Sequence, residues 1–137
     1  MMRVILDTNI IVSALLQPLG PPAQVFLLAL GHSVQLCVSG SIYAEYEEVI
    51  RRPRFKRSEE TILSTLKAIQ ETAHWVRHSA SVRACSDPDD DIFIECAQAC
   101  VADYIVTGNV KDFPSEWLST QVVTPRHFLE IVTSRTR

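Results

Sequence analysis

The chain has 137 residues, of which 47% are hydrophobic and 21% are charged, and its formal net charge is −3. This length suits one domain, and the apolar content excludes a disordered chain. The slight acidity excludes a globally basic nucleic-acid binder, so contact with a polyanion requires a local basic patch. Asp7 and Asn9 interrupt the apolar N-terminal run. That interruption argues against a signal peptide or membrane span, and we expect a cytoplasmic protein.

Apolar periodicity, together with the positions of glycine and proline, predicts five strands and six helices. The strands are expected at residues 3–6, 34–38, 75–76, 104–107 and 122–124. The helices are expected at residues 10–16, 23–30, 42–51, 58–73, 87–101 and 125–132. The four cysteines form no CxxC pair, so they predict neither a zinc site nor a redox motif.

The alternation of apolar strands with helices predicts the fold class. Strands that are apolar throughout are typical of a parallel sheet covered by helices on both faces. We therefore expect an α/β protein, a three-layer α/β/α sandwich around a mostly parallel sheet of four to five strands. Residues 1–132 are expected to form the single domain and residues 133–137 a frayed tail.

Acidic residues follow the strands of this predicted sheet. Asp7 comes directly after the first strand, Glu45 lies one turn into a helix, and Asp90 begins another. Asp112, or else Asn109, follows a later strand. Each has a simpler interpretation as a helix cap, a solvated side chain or a turn residue. Because the carboxyl ends of parallel strands share one edge, we expect these residues to converge on one pocket.

Crowded carboxylates favour a bound cation. Residues 87–91 contain four aspartates, and the helix dipole returns only about 0.3–1 kcal/mol for each of them. Oxygen ligands without histidine or cysteine suit Mg²⁺ or Mn²⁺ rather than zinc. Such ions activate water and stabilise charge on a phosphoryl group. The pattern therefore predicts hydrolysis of phosphodiester bonds.

Four segments, in this order and at this spacing, resemble the PIN-domain family over about residues 2–132. They are Val4–Asn9 (VILDTN), Glu45, Asp87–Asp91 (DPDDD) with its following helix, and Ala102–Asn109 (ADYIVTGN). The nearest group comprises toxins of bacterial toxin–antitoxin pairs. The resemblance implies a PIN-like fold and a ribonuclease that depends on Mg²⁺ or Mn²⁺. It also implies a homodimer and a cognate antitoxin that inserts a segment near the active site.

The resemblance also implies roles for individual residues. Asp7 is the first metal ligand, Glu45 the second acid, and Asp90 the third acid and a further ligand. Many relatives have Thr-Gly-Asp where this chain has Thr107-Gly108-Asn109, and we expect Asp112 to supply the missing acid. The supporting residues are expected to be Thr8, Asn9, Asp87, Asp91, Thr107 and Asn109.

A basic segment offers the local patch that RNA binding requires. Five cations lie within seven residues: Arg51, Arg52, Arg54, Lys56 and Arg57. They are expected either to contact phosphates, with Phe55 stacking on a base, or to form a solvated connection between helices.

Other protein classes fit the sequence less well. A phosphoaspartyl hydrolase would place a second acid where Asn9 stands, and a receiver-like domain would leave Glu45 and the basic segment without a role. The remaining alternative, motivated by Asn109, is a catalytically degenerate PIN-like module that binds RNA or a protein partner without cleavage.

Overall fold

The computed structural model describes residues 1–77 and 81–135. Its centre is a six-stranded sheet with strand order β3-β2-β1-β4-β6-β5. The strands are β1 (Arg3–Leu6), β2 (Gln35–Ser39), β3 (His74–Val76), β4 (Tyr104–Val106), β5 (Glu116–Trp117) and β6 (Thr120–Val123). All neighbours pair in parallel except β5 and β6, which are antiparallel. The expected mostly parallel sheet is therefore confirmed.

Helices cover this sheet. They are α1 (Thr8–Leu16), α2 (Pro21–Leu30), α3 (Gly40–Ile50), α4 (Glu59–Thr72), α5 (Asp91–Cys100) and α6 (Pro125–Arg135). Helix α2 packs against α1 and α6, whereas α5 packs on β1, β2 and β4. This arrangement confirms the predicted α/β class with helices flanking the sheet.

Three details differ from the sequence-based expectations. The sheet has a sixth strand, β5, which has only two residues and is therefore too short to show a periodic pattern. The helix expected from Asp87 begins at Asp91, after a 3₁₀ turn over Pro88–Asp90. Helix α6 continues to Arg135, so the first three residues of the expected frayed tail are helical. The last two, 136–137, lie outside the described residues.

The core positions the carboxyl edge of the sheet. The side chains of Ile5, Leu6 and Phe93 are fully buried, as expected for strands covered on both faces. Tyr46 of α3 is also fully buried, and its hydroxyl donates a hydrogen bond to the Leu6 carbonyl at the end of β1. This bond holds α3 over the carboxyl end of the central strand.

The hydrophobic N-terminal helices are core elements of this fold. No single helix in the described parts of the chain is long and apolar enough to cross a membrane. Helices α1 and α2 meet that test only as a pair, and they are bent by 108° at the break between them.

Candidate functional site

The strand order reverses between β1 and β4, and the candidate site lies at the carboxyl ends of these two strands. From β1 the chain proceeds to β2 and β3 on one side, while β4 is followed by β6 on the other. Such a switch point leaves a crevice between the outgoing connections, where α/β proteins commonly bind ligands. Asp7 directly follows β1, and Thr107 directly follows β4.

Asp7 and Thr107 form the buried floor of the site. The Thr107 hydroxyl donates a hydrogen bond of 2.7 Å to Asp7 Oδ2, and Thr107 and Asp7 are 0% and 5% exposed respectively. Asp7 occupies the N-cap position of α1, yet its side chain makes no capping hydrogen bond. The simple explanation of Asp7 as a helix cap is therefore insufficient.

Burial raises the free energy of the ionised Asp7 carboxylate. Desolvation raises the pKa of Asp7 above its ordinary value, although the Thr107 hydroxyl and the nearby Thr8 and Asn9 amides oppose this rise. The charge on Asp112 raises the pKa further. A buried carboxylate with a raised pKa is a common feature of functional sites.

Glu45 reaches the same floor from α3. It accepts a short hydrogen bond from the Thr8 hydroxyl, which links the first turn of α1 to α3. Burial raises the pKa of Glu45, and the charges on Asp7 and Asp89 raise it further, whereas the Thr8 bond lowers it. The simple explanation of Glu45 as a freely solvated side chain is therefore insufficient.

Asp90 has a strongly shifted pKa. Burial and repulsion by neighbouring carboxylates raise it from 3.8 to about 6. The repelling carboxylates are those of Asp7, Asp87, Glu45 and Asp112. Asp90 therefore lies within electrostatic range of Asp7, Glu45 and Asp112, the other three acids singled out from the sequence.

Two exposed residues, Asn109 and Asp112, are the candidates for the fourth acidic position, after β4. The Asn109 N–H donates to the Thr107 hydroxyl at 3.0 Å, so the backbone of Asn109 is tied to the floor of the site. Asp112 ends a 3₁₀ turn, and its charge raises the pKa of both Asp7 and Asp90. Asp112 therefore supplies negative charge that Asn109 lacks.

The other two supporting acids, Asp91 and Asp87, accept hydrogen bonds from backbone amides near the start of α5. Asp91 is buried and accepts hydrogen bonds from the Ala84 and Cys85 amides at 3.0 and 2.8 Å. Burial opposes its ionisation, but these bonds prevail and lower the pKa of Asp91. Asp87 Oδ1 accepts from the Asp89 amide and caps the 3₁₀ turn. Both residues shape the loop that presents Asp90.

The basic segment is partly neutralised. Arg51 forms an ion pair with Glu59 at 2.8 Å, and Arg52 forms one with Glu48 at 2.9 Å. The Arg57 side chain donates to the Phe55 and Leu15 carbonyls. Phe55 packs against the hydrophobic core, and the Arg54 guanidinium lies 4.8 Å from the centre of its ring. Lys56 is exposed and has no ion-pair partner among the described residues.

The geometry fits a metal ion only as an open site. In residues 1–77 and 81–135, no group of three His, Cys, Asp or Glu side chains is arranged to enclose an ion. Mg²⁺ usually keeps several waters and binds through one or two carboxylates together with substrate phosphates. Asp7 and Asp90 can supply those two carboxylates, and the charge repulsion around Asp90 favours a cation.

Two residues near the site were not singled out from the sequence. Tyr46 anchors α3 above β1 through a buried hydroxyl, and this role cannot be distinguished from ordinary core packing in sequence. Arg77 directly follows β3, at the same sheet edge as Asp7 and Thr107. The acids were singled out because functional residues commonly follow the carboxyl ends of parallel strands. The same reasoning, here called the strand-end rule, would also have singled out this arginine.

The fold and the site together define an α/β protein with a carboxylate cluster at the switch point of a parallel sheet. Residues 3–111 match the family model of the PIN domain, and the chain belongs to this family. It is 28% identical to "Uncharacterized protein MJ1680" of Methanocaldococcus jannaschii, over 93% of this chain and 90% of that protein.

A solved structure supports the same fold. The chain is similar to a chain in the crystal structure of VapBC2 from Rickettsia felis bound to a DNA fragment from their promoter. The TM-score is 0.59 at 18% identity, and the match covers 90% of this chain and 98% of the other. This likeness, together with the family match, confirms the expected PIN fold.

Proposed function

We propose that this protein is a Mg²⁺- or Mn²⁺-dependent ribonuclease that hydrolyses phosphodiester bonds in RNA. The observation that carries the proposal is the carboxylate cluster, in which Asp7, Glu45 and Asp112 help raise the pKa of Asp90 to about 6. Such repulsion lowers stability unless the site binds a cation. PIN domains are generally nucleases, and the family match therefore agrees with this chemistry.

The proposed roles follow from position. Asp7 and Asp90 hold the ion, while Glu45 and Asp112 complete the acidic site. When bound, the ion activates a water molecule and stabilises negative charge on the phosphoryl group. Thr107 orients the Asp7 carboxylate and Thr8 orients that of Glu45, because each hydroxyl donates directly to the carboxylate.

We also propose a biological setting. The likeness to VapBC2 supports the proposal that this protein is a toxin that binds a cognate antitoxin protein. A homodimer and a cytoplasmic location are part of this proposal, since the resemblance implies the first and an RNA substrate favours the second. A single nuclease domain is proposed, and its last helix, α6, ends at Arg135 rather than at the expected residue 132.

The basic segment is proposed to contribute to RNA binding unequally. Arg54 and Lys56 remain available for phosphates, because neither has a carboxylate partner among the described residues. Arg51 and Arg52 would first have to leave Glu59 and Glu48. Arg57 is held by backbone carbonyls, which do not neutralise its charge.

Cleavage of a labelled structured RNA with Mn²⁺ or Mg²⁺ tests the proposal. We expect cleavage by the wild type, and none with a chelator or in the variants Asp7→Asn and Asp90→Asn. Asp89→Asn is the matched control, because Asp89 is an exposed neighbouring carboxylate outside the proposed ligand set. A folded Asp90→Asn protein that still cleaves RNA would overturn the assignment of Asp90.

The exposed Asn109 supports a second candidate, a PIN module that binds RNA or a protein without cleaving it. Metal binding distinguishes the two functions. A catalytic site should show Mn²⁺-dependent thermal stabilisation that Asp7→Asn removes. A degenerate site should show neither this stabilisation nor cleavage.

A further inference from the structure

A groove at the carboxyl end of β6 borders the carboxylate cluster. Its volume is about 430 Å³, within the range of roughly 300–1,000 Å³ that is typical of ligand sites. It lies between the end of β6, the start of α6 and the 3₁₀ turn that contains Asp112. The residues that line it include Val110, Lys111, Val122, Thr124 and His127.

The backbone connects this groove to the floor of the candidate site. The Thr107 amide donates a hydrogen bond of 2.9 Å to the carbonyl of Val123, which lines the groove at the end of β6. Asp112, one of the candidate acids, lies between two further lining residues, Lys111 and Phe113. Asp112 therefore lies at the boundary between the carboxylate cluster and the groove.

The groove carries a cation and a hydrogen-bond donor beside an acidic site. Lys111 and His127 are both exposed, and neither forms an ion pair within the described residues 1–77 and 81–135. No carboxylate among those residues lines the groove. The His127 amide donates to Thr124 Oγ1 at 3.1 Å, which fixes the first turn of α6 beside the groove. Lys111 and the His127 ring are therefore available to an anion.

An RNA strand brings several phosphates to a site of this kind. A metal ion offsets the charge on the phosphate that reacts, but a neighbouring phosphate is still repelled by the carboxylates. A cation beside Asp112 reduces that repulsion for one of the two neighbouring phosphates, and Lys111 is the residue next to Asp112. The groove thus supplies what the acidic cluster lacks.

We propose that this groove binds the phosphate next to the scissile one in the RNA substrate. Lys111 contacts the phosphate oxygens, the His127 ring donates a hydrogen bond to them, and Val110 and Val122 provide an apolar surface for the adjoining nucleoside. Contacts to phosphate carry no sequence information, so the subsite should bind different RNA sequences alike. The inference rests on the proposed ribonuclease function and adds the path of the strand, over the end of β6.

Four variants test the groove. Lys111→Gln removes the cation, whereas Lys111→Arg keeps it, and His127→Ala removes the ring. Arg126→Gln is the matched control, because Arg126 is the exposed neighbour of His127 on α6 and lines a different groove, between α2 and α6. All three positions are exposed, and circular dichroism melting establishes that every variant is folded.

Binding is measured in EDTA, so that it does not depend on cleavage. The probes are fluorescein-labelled RNAs of about 12 nucleotides with two unrelated sequences. We expect Lys111→Gln to weaken binding of both about fivefold, as for one exposed ion contact, and to reduce the salt slope by about 0.7. His127→Ala should weaken binding about twofold, as for one hydrogen bond. Lys111→Arg and Arg126→Gln should bind like the wild type.

Cleavage kinetics with Mn²⁺ provide a second measurement. Contacts to a neighbouring phosphate bind the substrate and the transition state equally, so their loss affects KM rather than kcat. We therefore expect Lys111→Gln to raise KM about fivefold and to leave kcat unchanged. A lower kcat with an unchanged KM would overturn the subsite, because Lys111 would then act on the reacting groups.

The outcomes separate this proposal from the ribonuclease proposal. Metal-dependent cleavage with unchanged RNA binding in Lys111→Gln and His127→Ala would overturn the subsite alone. Weaker binding in both variants, without any cleavage by the wild type, would support the groove as an RNA phosphate site and overturn the ribonuclease. An equal loss of binding in Arg126→Gln or in Lys111→Arg would overturn the subsite, as would the absence of RNA binding by the wild type.

Discussion

Replacing Asp90 by asparagine should stabilise the folded protein at neutral pH while abolishing cleavage. Burial and four neighbouring carboxylates raise the pKa of Asp90 from 3.8 to about 6. The folded state therefore keeps its proton on Asp90 at pH values where the unfolded chain has lost it. Stability should fall as the pH rises between about 4 and 6, and above that window the ionised carboxylate destabilises the fold.

The size of this effect follows from the shift. One unit of pKa corresponds to about 1.4 kcal/mol, so a rise from 3.8 to about 6 corresponds to at most about 3 kcal/mol. Asp90 is only half-buried, and solvent screening reduces the expected gain for Asp90→Asn to about 1 kcal/mol at pH 7.5. The gain should disappear below about pH 4, where both states of the wild type are protonated.

Urea denaturation in EDTA at pH 7.5 and pH 4 measures this difference. Asp89→Asn is again the matched control, and we expect less than half the gain from it because Asp89 is exposed. If Asp90→Asn is no more stable than the wild type at pH 7.5, the carboxylates do not form a strained cluster. Addition of Mn²⁺ should reverse the order of stability, since only the wild type gains the metal-binding free energy.

Three further perturbations test separate parts of the structure. Mn²⁺ at a hundredfold excess over its Kd should stabilise the wild type by about 2.7 kcal/mol, but not Asp7→Asn, in calorimetric melting. Thr107→Val should cost about 1–3 kcal/mol in urea denaturation, because it removes the buried donor to Asp7; an unchanged midpoint would contradict this role. Val101→Gly should gain about 1 kcal/mol, since Val101 is exposed at a helix end with a φ of 54°. A lower denaturation midpoint for Val101→Gly would show that the left-handed backbone there carries no strain.

Much of the fold could be predicted from the sequence, because parallel strands buried on both faces are continuous apolar runs. β1 is such a run, and Asp7 marks its end. The strand-end rule then places the acids at one sheet edge without knowledge of side-chain contacts. β5 could not be predicted in this way, since a two-residue strand is defined by its partner β6 and has no pattern of its own.

The charges were harder to assign from the sequence. Arg51 and Arg77 are both arginines in polar surroundings, yet Arg51 is paired with Glu59 and Arg77 faces a groove. Asp90 and Asp91 are adjacent, yet the pKa of one is raised and that of the other is lowered. Amide hydrogen bonds from the preceding loop lower the pKa of Asp91, whereas burial and then neighbouring carboxylates, most of them from distant segments, raise the pKa of Asp90. Burial and short-range electrostatics depend on which distant residues become neighbours, and only tertiary packing establishes those neighbours.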